Sequence, residues 1–154
     1  MRLFSIFLVF FLCYCSSKYV PIKHSPLMPL LVMKRTACYG TCPQYTISIY
    51  DDGKVKYEGK MFVDKIGCFE SMLSDSLIRE IKLQLNNVNF FEFNQLYDSH
   101  ITDVPSTILK INLNGRKHEV VDRFNGPLLL KGIHTLIDGY VDSIIEWHSC
   151  EILE

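Results

Sequence analysis

The side chains best suited to chemistry in this sequence are its cysteines. Cys38 and Cys42 stand in a C-x3-C turn, with Tyr39 and Gly40 between them and Pro43 immediately after. One use of such a pair is thiol–disulfide exchange, although that chemistry favours C-x-x-C at a helix N-terminus, where a thiolate is stabilised. The other use is a structural bridge. Closing a loop of about five residues contributes about 2 kcal/mol in the chain-entropy account, which shapes a loop more than it holds up a fold. Cys68 and Cys150 form a second candidate pair. A bridge between them closes a loop of about 83 residues and contributes about 4.5 kcal/mol. Four cysteines allow three connectivities, so the pairing stays open here. A metal set drawn from Cys38, Cys42, His148 and Cys150 lacks the usual zinc spacing, and no metal is expected.

Asp98, His100 and Asp103 are the other cluster to weigh, because two carboxylates and an imidazole can serve acid–base catalysis. An Asp just before a strand more often satisfies backbone N–H groups through an Asx turn, and Asp103, followed by Val104-Pro105, fits that role. His24, His100, His118 and His134 are scattered singly and read as surface or partly satisfied positions. The chain has no G-x-S-x-G, no phosphate-cradling glycine loop and no H-E-x-x-H. No catalytic residue and no cofactor are therefore expected. Tyr39, Gly40, Pro43, Asp98 and Asp103 are instead candidates for binding loops.

These residues need a scaffold. Leu30 to Ala37 reads as a first strand leading into the Cys38–Cys42 turn. Tyr45, Ile47 and Ile49 alternate with Thr46 and Ser48, the period-2 signature of a half-buried strand. Asp51-Asp52-Gly53 marks a hairpin, and Val55 and Tyr57 continue on the return strand, with Gly59 allowing a bend before Met61-Phe62-Val63. Ser74 or Ser76 can cap a helix to about Asn87, with Leu77, Ile78, Ile81, Leu85 and Val88 on one stripe.

Phe90, Phe91 and Phe93 predict a short extended plug for the core. Asn94 to Pro105 reads as a polar loop. Leu109, Ile111 and Leu113 then alternate into the Asn114-Gly115 turn, and Arg116 to Val121 returns. Asn125-Gly126-Pro127 opens a last helix whose stripe is Leu129, Ile133, Leu136, Ile137, Tyr140, Ile144 and Trp147. Gly132 and Gly139 inside it either permit a close approach or simply weaken it. The order β-β-β-α-β-β-α, without a strong βαβ crossover signal, predicts an α+β fold. Its expected form is an antiparallel sheet of four to five strands with two helices packed on one face.

Arg2 followed by the apolar run Leu3 to Tyr14 has the form of a secretory signal, since about 12 helical residues rise only about 18 Å, too little to span a bilayer. Leu12-Cys13-Tyr14-Cys15-Ser16-Ser17 is similar to a bacterial lipobox, with Cys15 the lipid acceptor and Cys13 the weaker choice. The expected organisation is a signal segment over 1–15, a Pro-containing tether over 16–29 and one domain over 30–154. Of 154 residues, 48% are hydrophobic, and 16 Lys+Arg nearly balance 17 Asp+Glu. That balance gives no basic excess for phosphates, so no nucleic-acid partner is expected.

Arg35-Thr36-Ala37-Cys38-Tyr39-Gly40-Thr41-Cys42-Pro43-Gln44-Tyr45, followed by a strand and an Asp-Gly turn, resembles a bacterial family built on a domain of unknown function. That family is marked by Cys-(Phe/Tyr)-Gly-x-Cys-Pro-x-Tyr. Gly53 with Val55, Tyr57 and Gly59, then Thr102 to Thr107, Asn125-Gly126-Pro127 and Trp147, extend the resemblance over roughly residues 30 to 150. Cys68 and Cys150 depart from the pattern. The resemblance implies a small secreted or lipid-anchored envelope protein and brings no assigned catalytic residue.

The resulting expectation is an exported, membrane-anchored cell-envelope lipoprotein whose non-catalytic domain binds an envelope partner or supports an assembly. The alternative is a small envelope thiol–disulfide enzyme using Cys38 and Cys42.

Overall fold

The computed structural model describes residues 28–150. The expected signal segment, its acceptor Cys15 and the tether up to residue 27 lie outside the described residues. Among the described residues eight strands run in chain order: β1 (Leu31–Arg35), β2 (Gln44–Ile49), β3 (Lys54–Met61), β4 (Gly67–Met72), β5 (Leu96–Tyr97), β6 (Thr107–Leu113), β7 (Arg116–Asp122) and β8 (His148–Ser149). They form one sheet in the order β5-β7-β6-β1-β2-β3-β4-β8. Two helices, α1 (Asp75–Asn87) and α2 (Leu128–Asp142), complete the fold.

The elements follow local chemistry. Ile47, Ile49, Val55 and Tyr57 are buried across the β2–β3 hairpin, whose turn is closed by Tyr50 N–H donating to Lys54 O at 2.9 Å. Asn114 and Gly115 both take positive φ, 53° and 74°, as a two-residue turn matched to the strand twist requires. Ser74 caps α1, its side chain accepting from Leu77 N, and Ile78, Ile81 and Leu85 are buried. They join Leu31, Met33, Leu109, Ile111 and Val120 of the sheet and Leu130, Ile133, Ile137 and Val141 of α2 in a single core.

This architecture corrects the expected one. An antiparallel α+β sheet of four or five strands with helices on one face does not fit a single sheet of eight strands, which is mixed because β5 pairs with β7 in parallel. The extra strands are peripheral. β4 contains no fully buried residue, and β5 and β8 have two residues each, so none carries an alternating pattern. Such strands exist because a neighbour offers unpaired backbone groups, and short outer strands also leave little edge for unwanted pairing.

Smaller corrections have similar causes. Phe90–Glu92 is a turn of 3-10 helix, entered through Asn89 at φ 48°, and not an extended segment; Phe90 is fully buried there. α2 ends at Asp142, so Ile144 and Trp147 lie beyond it. Its buried residues are Leu130, Ile133, His134, Ile137 and Val141, whereas Leu129 is 61% exposed. A Cβ at Gly132 or Gly139 would meet open space, so neither glycine serves a close approach.

Candidate functional site

The strand register gathers polar residues into one row. Tyr45 pairs with Arg35, Arg35 with Thr107, and Thr107 with Asp122, so β2, β1, β6 and β7 each place one such residue at the same end of the sheet. Two residues of α2 four positions apart, His134 and Asp138, meet that row.

Arg35 is the hub. Its Nε donates to Tyr45 Oη at 2.7 Å, its Nη1 donates to Thr107 Oγ1 at 3.1 Å, and its Nη2 pairs with Asp138 Oδ2. Tyr45 Oη in turn donates to Asp138 Oδ1 at 2.6 Å. Burial, and then the hydrogen bond to Asp138, push the Tyr45 phenol well above the usual tyrosine range. Tyr45 therefore remains a neutral donor and Asp138 an acceptor, which fixes the ring and the guanidinium together.

At the other end of the row Asp122 is buried, its Oδ1 accepting from Gly126 N at 3.1 Å. A Cβ at Gly126 would collide with that carboxylate, so glycine is what lets the chain pass so close. His134 Nδ1 lies 3.8 Å from Asp122 Oδ2. Burial lowers the His134 pKa to about 4, with Arg35 and Lys131 acting in the same direction and Asp122 opposing them, so the ring is neutral at pH 7. The isolated position of His134 in the sequence predicts a surface or partly satisfied histidine. It is only 5% exposed, because its stretch of α2 faces the sheet.

Two of the cavities that border the row are the larger ones. One, of about 340 Å³, is bounded by Tyr45, Tyr57, Phe62, Lys65, Asp138 and Trp147. Tyr45 stacks on Tyr57 with ring centroids 5.7 Å apart, and Trp147 sits 5.8 Å beyond. The other, of about 330 Å³, lies between Arg35, Thr107, Arg123, Asn125, Lys131 and His134.

The cysteines form two bridges, Cys38–Cys42 and Cys68–Cys150. The first closes the loop between β1 and β2, so it joins two strands and does not open a helix. The second joins β4 to the residue after β8 at the sheet edge, where Cys150 N also donates to Cys68 O at 3.0 Å. The two bridges use separate partners, so the metal set considered from sequence is divided between them. Among the described residues no cluster of three metal-ligating side chains occurs.

The binding-loop residues are distributed unevenly. Tyr39 is 92% exposed, and its N–H donates to Asp103 O at 3.3 Å, so the Cys38–Cys42 loop and the loop preceding β6 lie side by side. Thr36 and Ser106 reinforce the junction through two further hydrogen bonds, at 3.0 and 2.8 Å. Gly40, Pro43, Asp98 and Asp103 are exposed. Asp98 accepts from Ser99 N and lies 3.6 Å from Arg123 Nε, while Asp103 takes φ 65°, as turn-forming Asp residues tolerate.

Comparison with protein families matches residues 29–141 to the domain of unknown function DUF6438. The chain belongs to this family. The DUF6438 match contains Arg35, Tyr45, Asp122, His134 and Asp138, and it ends before Trp147 and Cys150. Comparison with curated proteins finds no match. Arg35 and Tyr45 both lie in the motif that carried the family resemblance, but their common partner Asp138 was missed. The only sequence signal for it was a pair of polar residues, His134 and Asp138, spaced i, i+4 within an apolar helix.

Proposed function

We propose that this DUF6438 protein is a bacterial cell-envelope lipoprotein. In this reading Met1–Cys15 exports it, Cys15 carries the lipid, and the domain binds an envelope partner through the joined Cys38–Cys42 and Asn94–Pro105 loops. The Cys38–Pro43 run, on which the family resemblance rests, supplies the first of these loops. The observation that carries the binding role is the junction of Tyr39 with Asp103, which builds one exposed surface from two segments far apart in sequence. Export is supported by the apolar leader and is compatible with the two disulfides, which persist in oxidising compartments.

The test is a photo-reactive amino acid placed at Tyr39, with a control at Asn114 in the β6–β7 turn at the far end of the sheet. Labelled palmitate is supplied to the same cells. The expected result is label on the wild-type chain, its loss in Cys15→Ala, and a discrete crosslinked species from Tyr39 but not from Asn114. A chain without label, or identical crosslinking from both positions, would overturn the reading.

A further inference from the structure

The cavity of about 340 Å³ is walled by aromatic rings and holds the chain's single tryptophan, Trp147. Tyr45, Tyr57 and Trp147 form a continuous run with centroid separations of 5.7 and 5.8 Å, and Phe62 adds a fourth ring. Phe62 takes φ 56°, an uncommon backbone for a bulky side chain, and lines the cavity while 47% exposed. Arg35 and Asp138 hold the Tyr45 hydroxyl, and Trp147 lies just before β8, which the Cys68–Cys150 bridge ties to β4. The aromatic wall is therefore fixed before anything enters.

Polar groups line the same space. Tyr57 is only 8% exposed, yet no group among the described residues hydrogen-bonds its hydroxyl, and that oxygen keeps accessible surface. Burial, with the negative charges of Asp64 and Asp142, raises the Tyr57 pKa, so the phenol is a protonated donor. Asp64 and Asp142 also line the cavity and enter no ion pair among the described residues. Lys65 stands over the Trp147 ring, its ammonium 5.9 Å from the centroid. Asp138 is already matched by Arg35.

These features discriminate between ligands. A free anion would meet two carboxylates, and a free cation would meet the Lys65 ammonium at the aromatic face it needs. A neutral ring bearing hydroxyls suits both. It accepts from Tyr57 and Lys65, donates to Asp64 and Asp142, and lays its C–H edges on the negative faces of the aromatic rings. Ligand cavities run from about 300 to about 1,000 Å³, so this one has room for a single ring and not for an extended chain.

We propose that this cavity binds one pyranose sugar unit, with Trp147 and Phe62 as stacking walls, Tyr57 as a donor and Asp64 and Asp142 as acceptors. The site goes beyond the partner-binding surface at Tyr39 and depends neither on it nor on export.

Because Trp147 is the only tryptophan, its fluorescence reports on the site directly. The full-length chain, purified in a detergent without a sugar headgroup, is titrated with N-acetylglucosamine and with glucose. Glycerol and tetramethylammonium chloride serve as controls at matched ionic strength. The expected result is a saturable change in emission with at least one of the two sugars and none with either control. Tyr57→Phe keeps the ring and its packing and should weaken binding about threefold or more. Asp64→Asn with Asp142→Asn should weaken it about fivefold or more, as the loss of charged hydrogen bonds implies. Both variants should keep a cooperative thermal transition. No saturation with either sugar would overturn the proposal. Saturation by tetramethylammonium would make this a cation site, and sugar binding unchanged in both variants would put the sugar elsewhere; each result overturns the proposal equally. None of these outcomes bears on palmitate labelling or crosslinking at Tyr39.

Discussion

Asp138 engages Arg35 and Tyr45 at once, and both partners are half-buried. Asp138→Asn removes the charge while keeping the shape, leaving a guanidinium that has lost its counter-ion. The expected cost is about 1–2 kcal/mol in urea unfolding, with Tyr45→Phe costing about 1 kcal/mol because only one hydroxyl is lost. His134 makes the protein acid-sensitive. Below pH 6.5 the unfolded chain takes up a proton that the folded chain refuses until about pH 4. Stability therefore falls across that window, by an amount on the order of 3 kcal/mol at most. Denaturant unfolding at pH 7 and at pH 4.5 measures the loss, and His134→Gln should flatten this part of the profile. At this scale the sequence was only partly legible. Arg35 and Tyr45 stand in a recognisable motif, but what joins them to Asp138 is a register across β2, β1 and β6 that no local pattern encodes.

The two glycines of α2 give the clearest element-scale expectation. Gly132 and Gly139 are exposed, and a Cβ at either meets nothing, so each only lowers helix propensity. Gly132→Ala and Gly139→Ala should each raise stability by up to about 1 kcal/mol in thermal or urea unfolding. Gly59 is the opposite case. A Cβ there would overlap the Lys65 carbonyl and approach Tyr57 Cε1 to 2.9 Å. Gly59→Ala should therefore destabilise by about 2 kcal/mol or more in the same assay, because backbone must move.

Elements with strong period or capping were readable. The β2–β3 and β6–β7 hairpins and the Ser74-capped α1 fall where alternation, turn chemistry and spacing place them. β4 was not readable, because its burial comes from pairing along β3 and not from an apolar face of its own. The two-residue strands β5 and β8 have no signal until the fold supplies their partners.

At the scale of the molecule, one sheet gathers the polar row, the cavities beside it and two joined loops, while the disulfides act at different ranges. Cys68–Cys150 spans a sequence separation of 82 and Cys38–Cys42 one of 4. In the chain-entropy account the long bridge contributes about 4.5 kcal/mol and the short one about 2 kcal/mol. Cys68→Ser with Cys150→Ser should thus lower the denaturant midpoint more than Cys38→Ser with Cys42→Ser. Net charge and composition carry no information on the strand count, which the pairing of short outer strands decides.

The central claim is that this domain matures oxidised and anchored in the cell envelope. Cells are fractionated with a thiol-blocking reagent present from the moment of lysis, and the intact mass of the protein is then read from each fraction. The account predicts a membrane-bound chain beginning at an acylated Cys15, with Cys38, Cys42, Cys68 and Cys150 unmodified by the reagent until reduced. A full-length, unacylated chain in the cytosol with those four cysteines alkylated would contradict it.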